Sequence, residues 1–245
     1  MSTIREINLA HLYPNLMDLY GDRGNLIVLK KRLEWYGHKA NIININLGEP
    51  LNLDKYDMLF MGGGIEKNQI IVGQEILPYA DEIKDYIEQG SPVLFISAAF
   101  QLLGTTYNSR GEKSIGLDLF DFYTEKATSR WTNNILLKVQ INDREVDVVG
   151  FENHIGRTYF VNDKIKPFGT VIKGYGNNKQ DKSEGIRYKN LIGTYLHGPL
   201  LPKNPIIADF FINCMLADCN YPEGTALNDE LEWFAHEQAK RRLVN

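Results

Sequence analysis

The first hundred residues alternate short apolar runs with stretches of helical period. Glu6–Leu12 (EINLAHL) predicts a first strand, 40–47 (ANIININL) a second, 56–61 (YDMLFM) a third and 92–97 (PVLFIS) a fourth. Between the first two, Leu26, Leu29, Leu33 and Tyr36 fall at spacings of three, four and three, which predicts a helix over 22–36 with Gly37 as its stop. A second helical stretch is expected at about 74–89 and a third opening at 99–103. Strands apolar on both faces, alternating with helices, argue for an α/β fold: a mostly parallel sheet with helices on both faces. Ligands of such sheets bind at the carboxyl ends of the strands. That rule singles out two places, the Gly62-Gly63-Gly64 turn and the turn at Ser97.

The second half is less regular. Segments 134–141, 145–151, 158–160 and 169–175 read as shorter strands, some antiparallel, and 191–196 as an apolar strand running into His197-Gly198-Pro199. Asn204-Pro205 predicts a helix start, Asn as cap and Pro in the first turn. A last helix at about 228–243 carries acids early (Asp229, Glu230, Glu232) and bases late (Lys240, Arg241, Arg242), the order that suits the helix dipole. No repeat or linker divides the pattern, so 1–245 reads as a single domain.

Bulk composition narrows the function classes. The chain has 245 residues, 43% hydrophobic and 24% charged, with a net charge of −4. That balance gives no footing for broad nucleic-acid binding. No apolar run is long enough to cross a membrane, and 1–6 (MSTIRE) lacks a secretory pattern, so a cytoplasmic location is expected. Two cysteines, Cys214 and Cys219, support neither a disulfide framework nor a metal site, since His236 alone supplies no further ligand set. No phosphate-binding glycine loop with lysine is present, which argues against a nucleotide site on this chain.

The sharpest local pattern is VLFISAAFQLLG (93–104): a buried strand, a small polar residue, two small neighbours, then a helix. A nucleophile elbow is written this way. The turn is tight, the amide after the nucleophile can hold an oxyanion, and the following helix directs its positive end at the site. Taken alone, Ser97 reads more readily as a helix cap after a strand.

Distant segments shift the balance. INLAHLYPNLMDLYGDRGN (7–25), MGGGIEKNQ (61–69), GFENHIGRTY (150–159), GYGNN (174–178) and GTYLHGPLLPKNP (193–205) together resemble the cobyric-acid-synthase-type (CobB/CobQ-like) class I glutamine amidotransferases. Within them, the resemblance is greatest to the glutaminase subunits of lipid II isoglutaminyl synthases. The resemblance implies a flavodoxin-like α/β domain. It also implies a cysteine nucleophile that attacks the glutamine side-chain amide, a histidine that relays protons, and ammonia passed to a partner. That partner would be a Mur-ligase-like synthetase holding ATP and magnesium and amidating the D-glutamate of lipid II. No cofactor is expected on this chain.

Carried over residue by residue, the resemblance places the nucleophile at Ser97, the catalytic histidine at His197 and the glutamine-holding arginine at Arg130. The amides of Gly63 (or Gly64) and Ala98 are the expected oxyanion donors. Glu152 is a conceivable third triad member, and the Glu152-Asn153-His154 segment carries no assigned chemistry. His11, His38 and His236 carry no functional claim. A second acid often stands at the position of Lys67.

The departure lies in the elbow. Where the family reads I-C-G-G-[YF]-Q-x-L-G, this chain reads ISAAFQLLG (96–104). Serine is neither partly ionised near neutral pH nor as nucleophilic as cysteine, and alanine resists positive φ where glycine does not. Weak glutamine hydrolysis is therefore expected. Three readings stay open: an amidotransferase subunit, a catalytically impaired binding subunit, and a Ser97/His197 hydrolase or cobyric-acid-synthase-like enzyme.

Overall fold

The structure, a computed structural model, describes residues 4–109, 111–217 and 227–244; Cys219 lies outside them. Its first half follows the alternation of the sequence. Strands β1 (Glu6–Leu12), β2 (Lys39–Ile45), β3 (Met58–Met61) and β4 (Val93–Ile96) are interleaved with helices α1 (Gly24–Trp35), α2 (Glu66–Ile76), α3 (Ala80–Glu88) and α4 (Ala98–Leu102). The second helical stretch begins earlier than expected and is broken by a 3-10 turn at Leu77–Tyr79, where Pro78 sits.

A further hairpin, β5 (Thr106–Ser109) and β6 (Glu112–Ile115), leads into two long strands, β7 (Phe122–Ile141) and β8 (Arg144–Phe160). These absorb the short strands expected at 134–141, 145–151 and 158–160. Both residues of their connecting turn, Asn142 (φ 47°) and Asp143 (φ 60°), have the positive φ that a two-residue hairpin of matching twist requires. Then come β9 (Gly169–Lys173), β10 (Ser183–Glu184), β11 (Ile186–Tyr188), β12 (Leu191–Thr194), β13 (Leu196–His197), α5 (Leu200–Lys203), α6 (Pro205–Met215) and α7 (Glu230–Val244).

Two sheets result. The first runs β11-β12-β4-β3-β1-β2 and is parallel except for β11. Its alternating side chains feed two separate cores, as a two-sided sheet demands. Leu59, Met61, Val93 and Phe95 pack with Val72, Ile76 and Ile83 of α2 and α3. Met58, Phe60, Leu94 and Ile96 pack with Leu26, Leu29, Leu33 and Phe211 of α1 and α6. Among the described residues the second sheet has seven strands, is antiparallel apart from the β5–β7 pair, and holds β7, β8 and β13.

The strand expected at 191–196 divides between these sheets. Thr194 pairs with Ile96 in the first, whereas Leu196 and His197 pair with Glu152 and Phe151 in the second. His197 thus sits where the sheets meet. Asn204 precedes α6 as expected but its side chain does not cap it. It accepts from the Val149 amide and donates to the Val149 and Leu200 carbonyls, tying α6 to β8. At the other end, Arg32, 3% exposed, joins α1 to Asp209 and Asp229.

Candidate active site

The turn after β4 has an elbow's geometry. Ser97 adopts φ 56° and ψ −107°, a conformation an L-residue holds only under constraint. Its amide donates to the Thr194 carbonyl (2.7 Å) and its own carbonyl accepts from the Gln101 amide (3.0 Å), so both flanking peptides are fixed. Its hydroxyl makes no capping bond to α4, which removes the helix-cap reading. Neither Ala98 nor Ala99 has positive φ, so the two alanines that replace glycine impose no backbone strain. Ala99 is wholly buried in the core, while Ala98 lines the cavity in front of Ser97.

Behind the elbow lies a buried polar chain. Gln69 donates to the Ala98 carbonyl (3.0 Å) and to Gln101 Oε1 (2.8 Å), and Gln101 donates to the Tyr195 hydroxyl (3.0 Å). That hydroxyl pairs with Thr158 (2.7 Å), which pairs with Thr124 (2.8 Å). With every member partnered, the chain holds α4 rigidly in place.

His197 faces the same cavity and has a partner the sequence did not reveal. Its Nδ1 lies 3.1 and 3.0 Å from the two oxygens of Asp22, and both side chains are essentially buried. A carboxylate only accepts, so Nδ1 carries a proton toward Asp22, which leaves Nε2 as the ring atom turned toward the elbow. Nε2 is buried without a hydrogen-bond partner, so the Ser97–His197 bond is not formed here. The Tyr20 ring packs against the imidazole in a T-shaped arrangement, with centroids 4.9 Å apart.

Asp22 is held by the glycine turn. The Gly63 amide donates to Asp22 Oδ2 (2.9 Å), and the Leu19 amide donates to the Gly63 carbonyl (3.0 Å). The Gly63 N–H, expected as an oxyanion donor, is therefore engaged by the Asp22 carboxylate in this structure. The position still demands glycine: a Cβ there would lie 2.8 Å from His197 Cε1 and 3.5 Å from Ser97 Cβ. The same measure shows how closely the two side chains flank this turn.

The acid paired with His197 is Asp22 and not Glu152, the conceivable third triad member. Glu152 is fully buried and accepts the amides of Tyr175 (2.8 Å) and Gly176 (3.0 Å), folding the GYGNN loop. His154 stacks on Tyr195 (centroids 3.8 Å, interplanar 10°) and donates through Nδ1 to the Gly156 carbonyl (2.8 Å). Burial lowers its pKa. Glu184, also fully buried, accepts from Thr194 and the Tyr195 amide, and burial pushes its carboxyl up to about 8.

Arg130 reaches the cavity from β7. The β7–β8 ladder loses register between Lys126 and Trp131, and Arg130 lies in that irregular stretch. Such a bulge re-aims side chains. Arg130 donates to Asn153 through its Oδ1 (3.1 Å) and carbonyl (3.4 Å). The cavity, about 250 Å³, is lined by Ser97, Ala98, His197, Gly63, Gly64 and Arg130, among others. All the expected site residues therefore line one cavity, and Asp22 stands behind it. Among the described residues no cluster of three or more His, Cys, Asp or Glu side chains could hold a metal, and no helix is long and apolar enough to cross a membrane.

Comparison with known proteins identifies a family. Residues 8–205 match the CobB/CobQ-like glutamine amidotransferase domain. The chain is 41% identical over 244 residues to the lipid II isoglutaminyl synthase (glutamine-hydrolyzing) subunit GatD of Staphylococcus aureus strain N315, covering 99% of this chain and 96% of that one. It is 38% identical over 206 residues to the like-named subunit of Streptococcus pneumoniae, covering 83% and 78%. The probable cobyric acid synthase of Methanococcus vannielii is 31% identical over 148 residues, 29% of its length. Among solved structures, PurLQS of Thermotoga maritima superposes with a TM-score of 0.60 at 15% identity, covering 89% of this chain and 99% of that one, a likeness of fold.

Proposed function

The chain belongs to the CobB/CobQ-like glutamine amidotransferase family, and from that premise we propose that it is the glutamine-handling subunit of a lipid II isoglutaminyl synthase. Its partner would be a Mur-ligase-like subunit that holds ATP and magnesium and activates the D-glutamate carboxylate of lipid II. The observation that carries this reading is the Asp22–His197 pair, 3.0 Å apart, whose imidazole lines a cavity shared with the Ser97 elbow and Arg130.

Glutamine binds with its α-carboxylate on Arg130, whose planar guanidinium suits it, and its side-chain amide at Ser97. His197 Nε2 takes the proton of Ser97 Oγ as the oxygen attacks the amide carbon. The oxyanion is met by the Ala98 amide at the start of α4 and by the Gly64 amide, the donor left once Gly63 is committed to Asp22. The tetrahedral intermediate collapses as His197 returns the proton to nitrogen. Ammonia leaves for the partner, and a γ-glutamyl ester remains on Ser97. Water, deprotonated by His197, then releases glutamate. The serine makes this cycle slower than a thiolate would, because the hydroxyl must lose its proton during attack.

A second reading follows from the unpartnered His197 Nε2 together with serine at the nucleophile position. In it, the chain binds glutamine without hydrolysing it, and the partner uses free ammonia. The complex, given lipid II, ATP and either glutamine or ammonium salt, separates the two. Amidation from glutamine that falls with Ser97→Ala supports the first reading. Amidation from ammonium alone, unchanged in Ser97→Ala, replaces it with the second. Ser97→Cys is expected to raise glutamine-dependent amidation.

A further inference from the structure

One short turn, 18–22, reaches His197 twice. Asp22 meets Nδ1 (3.0 Å), and the Tyr20 ring packs on the imidazole with centroids 4.9 Å apart and planes 65° apart. The turn is tied down along its length. The Leu19 amide donates to the Gly63 carbonyl (3.0 Å), the Asp22 amide to the Leu19 carbonyl (3.2 Å), and the Arg23 amide to Asp18 Oδ1 (2.8 Å).

Tyr20 stands in this turn at φ 59° and ψ 22°, in the left-handed region, and Gly21 follows at φ 76°. Glycine or asparagine takes that conformation readily; a bulky aromatic does so only against steric resistance. The Tyr20 hydroxyl offers no compensation, since it makes no hydrogen bond among the described residues. What the position gains is the ring. It is 48% exposed, lines the cavity, and lies against an imidazole that is wholly buried. A half-exposed ring on a buried one acts as its cover.

The imidazole needs a second contact of this kind. A hydrogen bond from Nδ1 to a carboxylate fixes one point of the ring and leaves it free to turn about that axis. Nε2 has no partner that would fix it. Gly63 limits the ring at Cε1, where a Cβ would come within 2.8 Å, and Tyr20 bounds it from another segment. We propose that Tyr20 is a positioning residue, whose aromatic ring holds the His197 imidazole in plane and keeps water from the Asp22–His197 bond, so that Nε2 stays turned toward the elbow. The consequence for catalysis rests on the glutamine reading above; the shielding does not. A dry, aligned pair keeps its electrostatic strength, and a misplaced base loses rate rather than substrate affinity.

The shielding and the catalysis are read separately. The full chain, carrying isotope-labelled histidine, gives a proton–nitrogen correlation signal for the His197 Nδ1–H, assigned by its loss in His197→Gln. The signal is expected in the wild type and in Tyr20→Phe, and its loss to exchange with water is expected in Tyr20→Ala and Tyr20→Gly. Glycine suits the backbone here, so loss in both variants belongs to the missing ring. A signal that survives in Tyr20→Ala overturns the proposal, as does its absence from the wild type or from Tyr20→Phe. In the Ser97→Cys background, Tyr20→Ala should lower kcat for glutamine about tenfold or more with KM within about twofold, and Tyr20→Phe should restore it. An unchanged kcat in Tyr20→Ala overturns the positioning role. Absence of any glutamine hydrolysis by Ser97→Cys overturns the glutamine reading instead, and the Nδ1–H signal still decides Tyr20.

Discussion

The strain at Ser97 can be measured as stability. Its φ of 56° and ψ of −107° lie where residues other than glycine are held at a cost of about 1–3 kcal/mol. Replacing it by glycine relieves that strain. Against the gain stands the greater freedom of glycine in the unfolded chain, about 0.5–1 kcal/mol. The hydroxyl makes no capping bond whose loss would enter the balance. Ser97→Gly should therefore be more stable than Ser97→Ala, which keeps the strained backbone, by about 1 kcal/mol. For a chain of this length that corresponds to a melting temperature higher by roughly 2–4 °C. Calorimetric melts of the two variants side by side, with urea midpoints at unchanged m-value as a second measure, give the number. Both variants lack the nucleophile, so the comparison is free of catalysis. If Ser97→Gly melts at or below Ser97→Ala, the elbow is not strained, and the case that this turn is built to present a side chain fails.

Three other outcomes are expected. Asp22→Asn keeps the shape beside His197 but lets Nδ1 face an amide; in the Ser97→Cys background glutamine hydrolysis should fall about 10³-fold or more with little change in KM, and a loss below tenfold would remove Asp22 from the triad. Arg32→Leu leaves Asp209 and Asp229 side by side at the junction of α1 and α6, so urea unfolding should report a loss of about 3 kcal/mol; a loss under 1 kcal/mol would contradict the ion triad. The Glu184 carboxyl, raised to about 8 by burial, favours the fold in its protonated form, a contribution whole below about pH 4 and lost as pH rises through about 8. Relative to Glu184→Gln, wild-type stability should then decline between pH 5 and 8 by up to about 1.4 kcal/mol per unit, whereas parallel stability–pH curves would refute the shift.

What the sequence disclosed and what it hid divide along physical lines. The β4 turn was legible because buried strand, small residues and helix are contiguous in the chain, and β1 was legible to the residue. The length of β7 and β8 was not, because their middle passes through Lys126–Arg130, where polar residues and a bulge break the two-residue period. Asp22 was hidden for another reason. An acid just ahead of a helix reads as an ordinary favourable charge at a helix start, and its partner stands in another strand altogether. The one signal available was DLYGDRGN (18–25), long and idiosyncratic for a loop. Glu152 shares a strand face with His154, yet nothing in the local sequence shows that its carboxylate is committed to the Tyr175 and Gly176 amides of the distant GYGNN loop.

The partners Asp22 and His197 are 175 residues apart in the chain. During synthesis the acid therefore emerges roughly 10–35 s before the histidine at ribosomal rates. Until then β12 cannot zip against β4, nor β13 against β8, and the Asp22–His197 pair does not exist. A nascent or truncated chain that has already made its first four strands is chemically silent. A complete site is thereby reserved for molecules that have finished both sheets, a form of quality control written into chain connectivity rather than into any single residue.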